Sequence, residues 1–295
     1  MHLIIDKEGF ISRANDIWLG QGDNRGHAFM ALYSSLLSFG ALTRTWEESD
    51  LDGMTRLQWI QRLFAEAQAH LQALGFSNDL DVVQKLYLMT NICQNELNPN
   101  LAYMYLGWAV RTCLSAGFNR ETSNPKTQQS MALSTTWWGI YSLEIEMSFL
   151  LGRPDKLGLD IYHTRAQPPV DDTCFAIIPL MATFVRDIVR KVSTDIYHTS
   201  SPIPDTIDLT LHIEKRMDEW LESLPHNKSM SKSMGRKVGP LQEPEWRRRQ
   251  RLVLNIRELF FPHTLKRKPN INADQAITTS ECYSFGHICL LLCSI

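Results

Sequence analysis

Residues 129–151 read QSMALSTTWWGIYSLEIEMSFLL. Trp137, Trp138, Ile140, Tyr141, Leu143, Ile145, Met147 and Phe149 leave no broad polar stripe, so the stretch predicts a helix that is apolar almost all round. Such a helix belongs in the centre of a domain. Gly152 and Pro154 stop it, and Arg153 stands between them. Glu144 lies inside the run. Burying that carboxylate alone would cost on the order of several kcal/mol, so it must find a partner, with Arg153 or another cation the expected one, or take a proton.

Moving outward, apolar residues return at helical spacing in nearly every segment, and alternating β-branched runs are scarce. Helices are expected over 27–42, 57–74 (Trp59, Leu63, Phe64, Ala67 and Leu71 on one stripe, stopped by Gly75) and 81–95 (Val82, Val83, Leu86, Met89 and Cys93 on one face). The next has explicit punctuation. Asn98 can cap it, Pro99 fills its first position, and Gly117 closes a stripe of Leu101, Tyr105, Ala109 and Cys113. Beyond the central helix, 167–170 reads as an extended loop, 175–191 and 207–224 as helices, and the Ser/Lys/Gly-rich 226–240 as a mobile surface loop. A C-terminal helical part covers 243–295, beginning with a helix over 243–261. The expectation is an all-α fold, an irregular multi-helix bundle around a buried central helix at 129–151, forming one helical domain over 1–295.

The composition fits a globular protein with a sizeable core: 295 residues, 44% hydrophobic and 21% charged. A balance of 30 Lys and Arg against 32 Asp and Glu supplies no global field for phosphates, which disfavours nucleic-acid binding by these residues alone. The six cysteines form no C-x-x-C pair and sit mostly among apolar neighbours, as reduced intracellular cysteines do. The N-terminus has neither a secretory nor a transit pattern, and Ile140 to Leu151 is too short to span a bilayer, so no membrane partner is expected.

Candidate chemistry fails on spacing. Glu48, Asp50, Asp52 and Gly53 imitate the start of a calcium loop, but the twelfth position is Trp59 rather than a bidentate carboxylate. Gly20, Gly22 and Gly26 miss the dinucleotide fingerprint by one residue. Asp171-Asp172 could open a magnesium-binding cluster, yet Phe175 and Ala176 stand where a further carboxylate would complete it. His287 with Cys282, Cys289 and Cys293 on one helix cannot surround zinc tetrahedrally. The runs Arg247-Arg248-Arg249-Gln250-Arg251 and Lys266-Arg267-Lys268 could be import or phosphate patches, but the first also carries Trp246, Leu252, Val253 and Ile256, as the solvated face of a packed helix would. No catalytic residue, metal site or cofactor is expected.

Trp137-Trp138-Gly139-Ile140-Tyr141-Ser142-Leu143-Glu144, followed after six residues by Leu151-Gly152-Arg153-Pro154, resembles the signature of the fungal-specific transcription factor domain. That domain is the middle homology region of fungal zinc-cluster factors. Leu106 to Arg111 leading to Ala116-Gly117-Phe118-Asn119-Arg120, Asp81 to Leu86, Phe29 to Leu42 and Leu265 to Pro269 are similar to other segments of the family, in the family's order. Two departures stand out: Leu133-Ser134-Thr135-Thr136 occupies the place where arginines usually precede the tryptophan pair, and a six-cysteine binuclear zinc cluster is absent from these residues.

The resemblance implies a regulator of RNA polymerase II transcription, in the nucleus, with a metabolic or biosynthetic gene set as its target, acting through effector sensing or partner contacts. Its motif residues are Trp137, Trp138, Tyr141, Glu144, Gly152, Arg153 and Pro154. It implies the transcription machinery or co-regulators as partners, a small-molecule effector, and room for a homodimer. DNA is reached only through an N-terminal head, to which any zinc belongs. Two alternatives stay open: a headless sensor or interaction protein that binds no DNA, and a helical enzyme of small-molecule metabolism suggested by chain length and Asp171-Asp172.

Overall fold

The computed structural model describes residues 4–19, 26–43, 50–73, 78–96, 98–122, 124, 127–170, 174–199, 202–225, 244 and 246–255. Its described part is all-α apart from one two-stranded hairpin. The loop expected over 226–240, Glu48, Asp171-Asp172, Lys266-Arg267-Lys268 and the cluster from Cys282 to Cys293 lie outside the described residues, as do Gly20, Gly22, Gly75 and the chain after residue 255.

The chain forms two compact units, one of Met1–Glu144 and Lys156–Pro168, the other of Ile145–Asp155 and Pro169–Cys293. In the first unit, α1 (Lys7–Trp18), which the sequence reading missed, leads to α2 (His27–Thr43). A hairpin of β1 (Asp50–Leu51) and β2 (Met54–Thr55) follows. Then come α3 (Arg56–Ala73), α4 (Leu80–Asn95) and α5 (Pro99–Ala116). The calcium-loop imitation resolves as that hairpin. Asp52 (φ 53°) and Gly53 (φ 70°) both take the left-handed backbone that a tight two-residue turn demands, and Asp-Gly is the pair that tolerates it. Trp59, at the would-be twelfth position, donates its indole N–H to the Leu51 carbonyl at 2.9 Å.

Helix α4 packs against both α2 and α5, and α2 against α3. A cluster including Ile5, Phe10, Phe29, Leu32, Phe39, Ile60, Leu88 and Ile92 fills the space around α2 and α4. Flanked on two sides, α4 is buried from Val82 to Gln94 at every position except Tyr87, far beyond the single stripe its apolar residues suggest. Two of its buried polar residues bond back onto the helix itself. The Thr90 hydroxyl donates to the Leu86 carbonyl and the Asn91 amide to that of Tyr87, both at 2.8 Å. The punctuation of α5 is as its sequence requires: Asn98 Oδ1 accepts from the Leu101 N–H at 3.2 Å, Pro99 opens the helix, and Gly117 takes φ 72°.

The central helix α6 (Gln128–Leu150) begins in the first unit and ends in the second. Its end is a Schellman turn: the Gly152 N–H donates to the Phe149 carbonyl (3.1 Å), the Arg153 N–H to that of Ser148 (2.8 Å), and Gly152 has φ 61°. The second unit continues with α7 (Ile177–Phe184), two π-helical stretches, Val185–Val189 and Val192–Tyr197, and α8 (Ile203–Ser223). Residues 246–255 are also helical. Inside this unit Trp220 on α8 packs on Phe184 (ring centroids 4.8 Å apart) and donates to the Leu180 carbonyl at 3.2 Å. Arg190 grips Asp155 with two bonds of 2.6 and 2.9 Å, while Asp187 is shared by Arg186 and Arg216.

Candidate functional site

The motif residues of α6 meet a strap made by Lys156–Pro168. Trp137, Tyr141 and Glu144 are 0% exposed and Trp138 is 5% exposed, as an all-round apolar helix requires. Trp137, Tyr141 and Glu144 follow one another at helical spacing along a single face. The strap runs back along α6 towards its N-terminal half. The Lys156 N–H donates to Glu144 Oε1 at 2.9 Å, and the Tyr141 hydroxyl donates to Asp160 Oδ1 at 2.8 Å. The His163 ring sits against Trp137 and Tyr141, with centroids 5.0 and 5.6 Å away. The Ala166 carbonyl accepts from the Ser134 hydroxyl (2.6 Å) and the Trp138 indole (3.3 Å).

Glu144 was expected to meet a cation or take a proton. Its Oε1 accepts from a backbone amide, that of Lys156, a donor that no side-chain pattern can announce. Gly152, Arg153 and Pro154 supply the turn after α6: Gly152 because it must be left-handed, Arg153 through its backbone N–H, and Pro154 because it cannot continue a helix.

Arg165 holds the other end of the strap and was not foreseen. Only 4% exposed, it donates from Nε to the Phe118 carbonyl at 2.9 Å, with Thr122 and Ser130 hydroxyls 3.5 Å from Nη1. Burial lowers its pKa, and Glu121 counteracts that. Glu121 in turn accepts from the Ala166 N–H (2.7 Å) and the Thr122 N–H (3.0 Å), bonds that, with Arg165, hold its carboxyl below the usual range. Two further bonds tie strap to loop: the Arg165 N–H donates to the Asn119 carbonyl (3.0 Å) and the Asn119 side chain to the Tyr162 carbonyl (2.8 Å). The Asn119-Arg120-Glu121 segment after α5, of which the sequence reading took up only Asn119 and Arg120 as part of a family-like segment, is thus where the strap is fastened.

This arrangement holds and positions. Glu121 and Glu144 anchor backbone amides, Asp160 accepts from a tyrosine, and the His163 ring lies against aromatic faces. Among the described residues no three His, Cys, Asp or Glu side chains gather as a metal ion would need, and no helix is long and apolar enough to cross a membrane.

The model of the fungal specific transcription factor domain matches residues 4–203, two thirds of the chain, spanning the strap, α6 and the caps of α5. The chain belongs to that family. It is similar to the transcriptional regulatory protein YJL206C of Saccharomyces cerevisiae, at 30% identity over 147 residues, 48% of this chain and 19% of that one. It is also similar to "Activator of stress genes 1" of the same yeast, at 24% over 232 residues, 67% of this chain and 22% of the relative. An uncharacterized transcriptional regulatory protein of Schizosaccharomyces pombe is 23% identical over 166 residues, 49% of this chain and 19% of the relative. No solved structure matches. The chain spans about a fifth of the length of these curated relatives. It is a regulatory region of the kind fungal transcription factors carry.

Proposed function

We propose that this region controls RNA polymerase II transcription in the nucleus as a non-enzymatic module that responds to a small-molecule effector or a co-regulator. DNA, and the zinc that DNA binding would need, fall to a cysteine-cluster head outside these residues. The observation that carries the reading is the strap. A single segment is pinned to the buried central helix by discrete polar contacts at Glu144, Tyr141, Trp138 and Ser134, and contacts of this kind are either made or broken. A ligand that favours one state shifts the balance by its differential affinity for the two.

Fusing the 295 residues to an unrelated DNA-binding domain upstream of a reporter tests this. The fusion should change reporter output relative to the bare head. Tyr141→Phe, which removes the hydroxyl that donates to Asp160, should change it again at equal protein abundance. Output equal to the bare head for both proteins would sink the reading.

A further inference from the structure

Away from the strap, a cleft of about 430 Å³ opens between the end of α2, the start of α3 and the end of α4. The volume suits a small molecule. Its apolar lining is Leu42, Leu57 and Ile60, and its charged lining is Arg56 and Glu96. Ile60 is only 2% exposed and Leu57 is 58% exposed, so the cleft has a closed apolar floor and an open rim.

Neither Arg56 nor Glu96 makes an ion pair or a side-chain hydrogen bond among the described residues. The Glu96 charge is felt by its surroundings: burial pushes the Cys93 thiol up to about 12, and Glu96 adds to that rise. Partial burial also raises the Glu96 carboxyl above its ordinary value. Glu96 caps α4, whose last carbonyls carry partial negative charge and favour a cation beside it. At the other wall, Arg56 opens α3, where the helix N-terminus favours an anion.

We propose that this cleft binds a free α-amino acid with an apolar side chain: its carboxylate on Arg56, its ammonium on Glu96, and its side chain against Leu42, Leu57 and Ile60. A simple anion or cation would leave one of the two charges unserved, whereas a zwitterion serves both. The assignment rests on the reading of the chain as an effector-responsive region, but it is tested without transcription, so either can fail alone.

The test screens the twenty common amino acids against the purified chain by ligand-observed NMR, followed by calorimetry on any that bind. At least one apolar member should bind saturably. For L-norleucine as the reference probe, pentylamine and hexanoate, each lacking one charge, should bind at least about tenfold more weakly. Arg56→Gln and Glu96→Gln should each weaken norleucine by a similar factor. Both residues are exposed, so the thermal midpoint should not move. If one variant melts early, the other still decides, because each removes one charge on its own. No amino acid binding, or norleucine binding that survives both substitutions, would overturn the proposal.

Discussion

Among its described residues the first unit buries two cations, and they are treated in opposite ways. Arg165, on the strap, is 4% exposed, with a carbonyl on Nε, hydroxyls near Nη1 and the Glu121 charge close by. Lys85, in the middle of α4, is 0% exposed, and its Nζ has no hydrogen-bond partner among the described residues. Burial alone lowers the Lys85 pKa from 10.5 to about 7. Its neighbour Gln84 shows what a served polar group looks like in the same turn, donating to the Ile4 carbonyl (2.6 Å) and the Thr136 hydroxyl (3.2 Å). Arg165 therefore fixes geometry, while Lys85 weakens the helix it sits in. Burial by itself says nothing about the sign of a charge's contribution; the partners decide it.

The sharpest way to break this contrast is Lys85→Met. At pH 6 the substitution should raise stability by about 2–4 kcal/mol, because an aliphatic chain of similar length replaces an unpaired buried ammonium. The pH dependence follows from the direction of the shift. With a folded value near 7 below an unfolded value of 10.5, the unfolded chain holds the extra proton across that window. Wild-type stability from this group should therefore rise with pH between about 7 and 10.5, and its penalty should be complete below 7. Urea midpoints at pH 6 and pH 9 should converge in the variant. A midpoint that drops at pH 6 would mean that Lys85 has a partner after all.

Arg165→Met probes the other side of the comparison and should lower stability by about 2–3 kcal/mol, since the Phe118 carbonyl is left buried without its donor. Hydrogen exchange should also quicken at the Ala166 and Lys156 amides. Protection unchanged at both would show that the strap holds without its arginine. A smaller effect is expected where the strap's approach begins. Gly152→Ala forces a side chain into φ 61° with open space around it, so the cost is conformational alone, about 1 kcal/mol, read as a modest fall in thermal midpoint. A fall as large as that of Arg165→Met would mean that the turn bears more than its backbone angle.

How far the sequence discloses these features depends on where their partners come from. The caps of α5 and the burial of α6 were legible because Asn98, Pro99, Gly117 and the paired tryptophans carry their own local chemistry. The strap was not, because several of its anchors are backbone groups of Lys156 and Ala166, which every residue but proline offers, and because Asp160 and Arg165 find their partners far away in sequence. Lys85 hid for a related reason. With Gln84, Thr90 and Asn91 it makes α4 look half solvated, and only the presence of α2 on one side and α5 on another shows that the helix has no wet face. The hairpin at Asp50–Thr55 was not read: Asp52 and Gly53 were taken up only in the calcium-loop imitation, and strands of two residues are too short to show alternation.

The two π-helical stretches, Val185–Val189 and Val192–Tyr197, lend the second unit an unusual tolerance. A π-turn holds one residue more than the α-turn it interrupts, and such bulges usually occur singly within an α-helix. In an ordinary helix, deleting one residue swings everything downstream to a different face. Within these stretches, a one-codon deletion can instead be absorbed by converting a wide turn into a regular one, keeping Ile188, Val192 and Ile196 inward. A one-residue deletion should therefore cost less here than in α4 or α6.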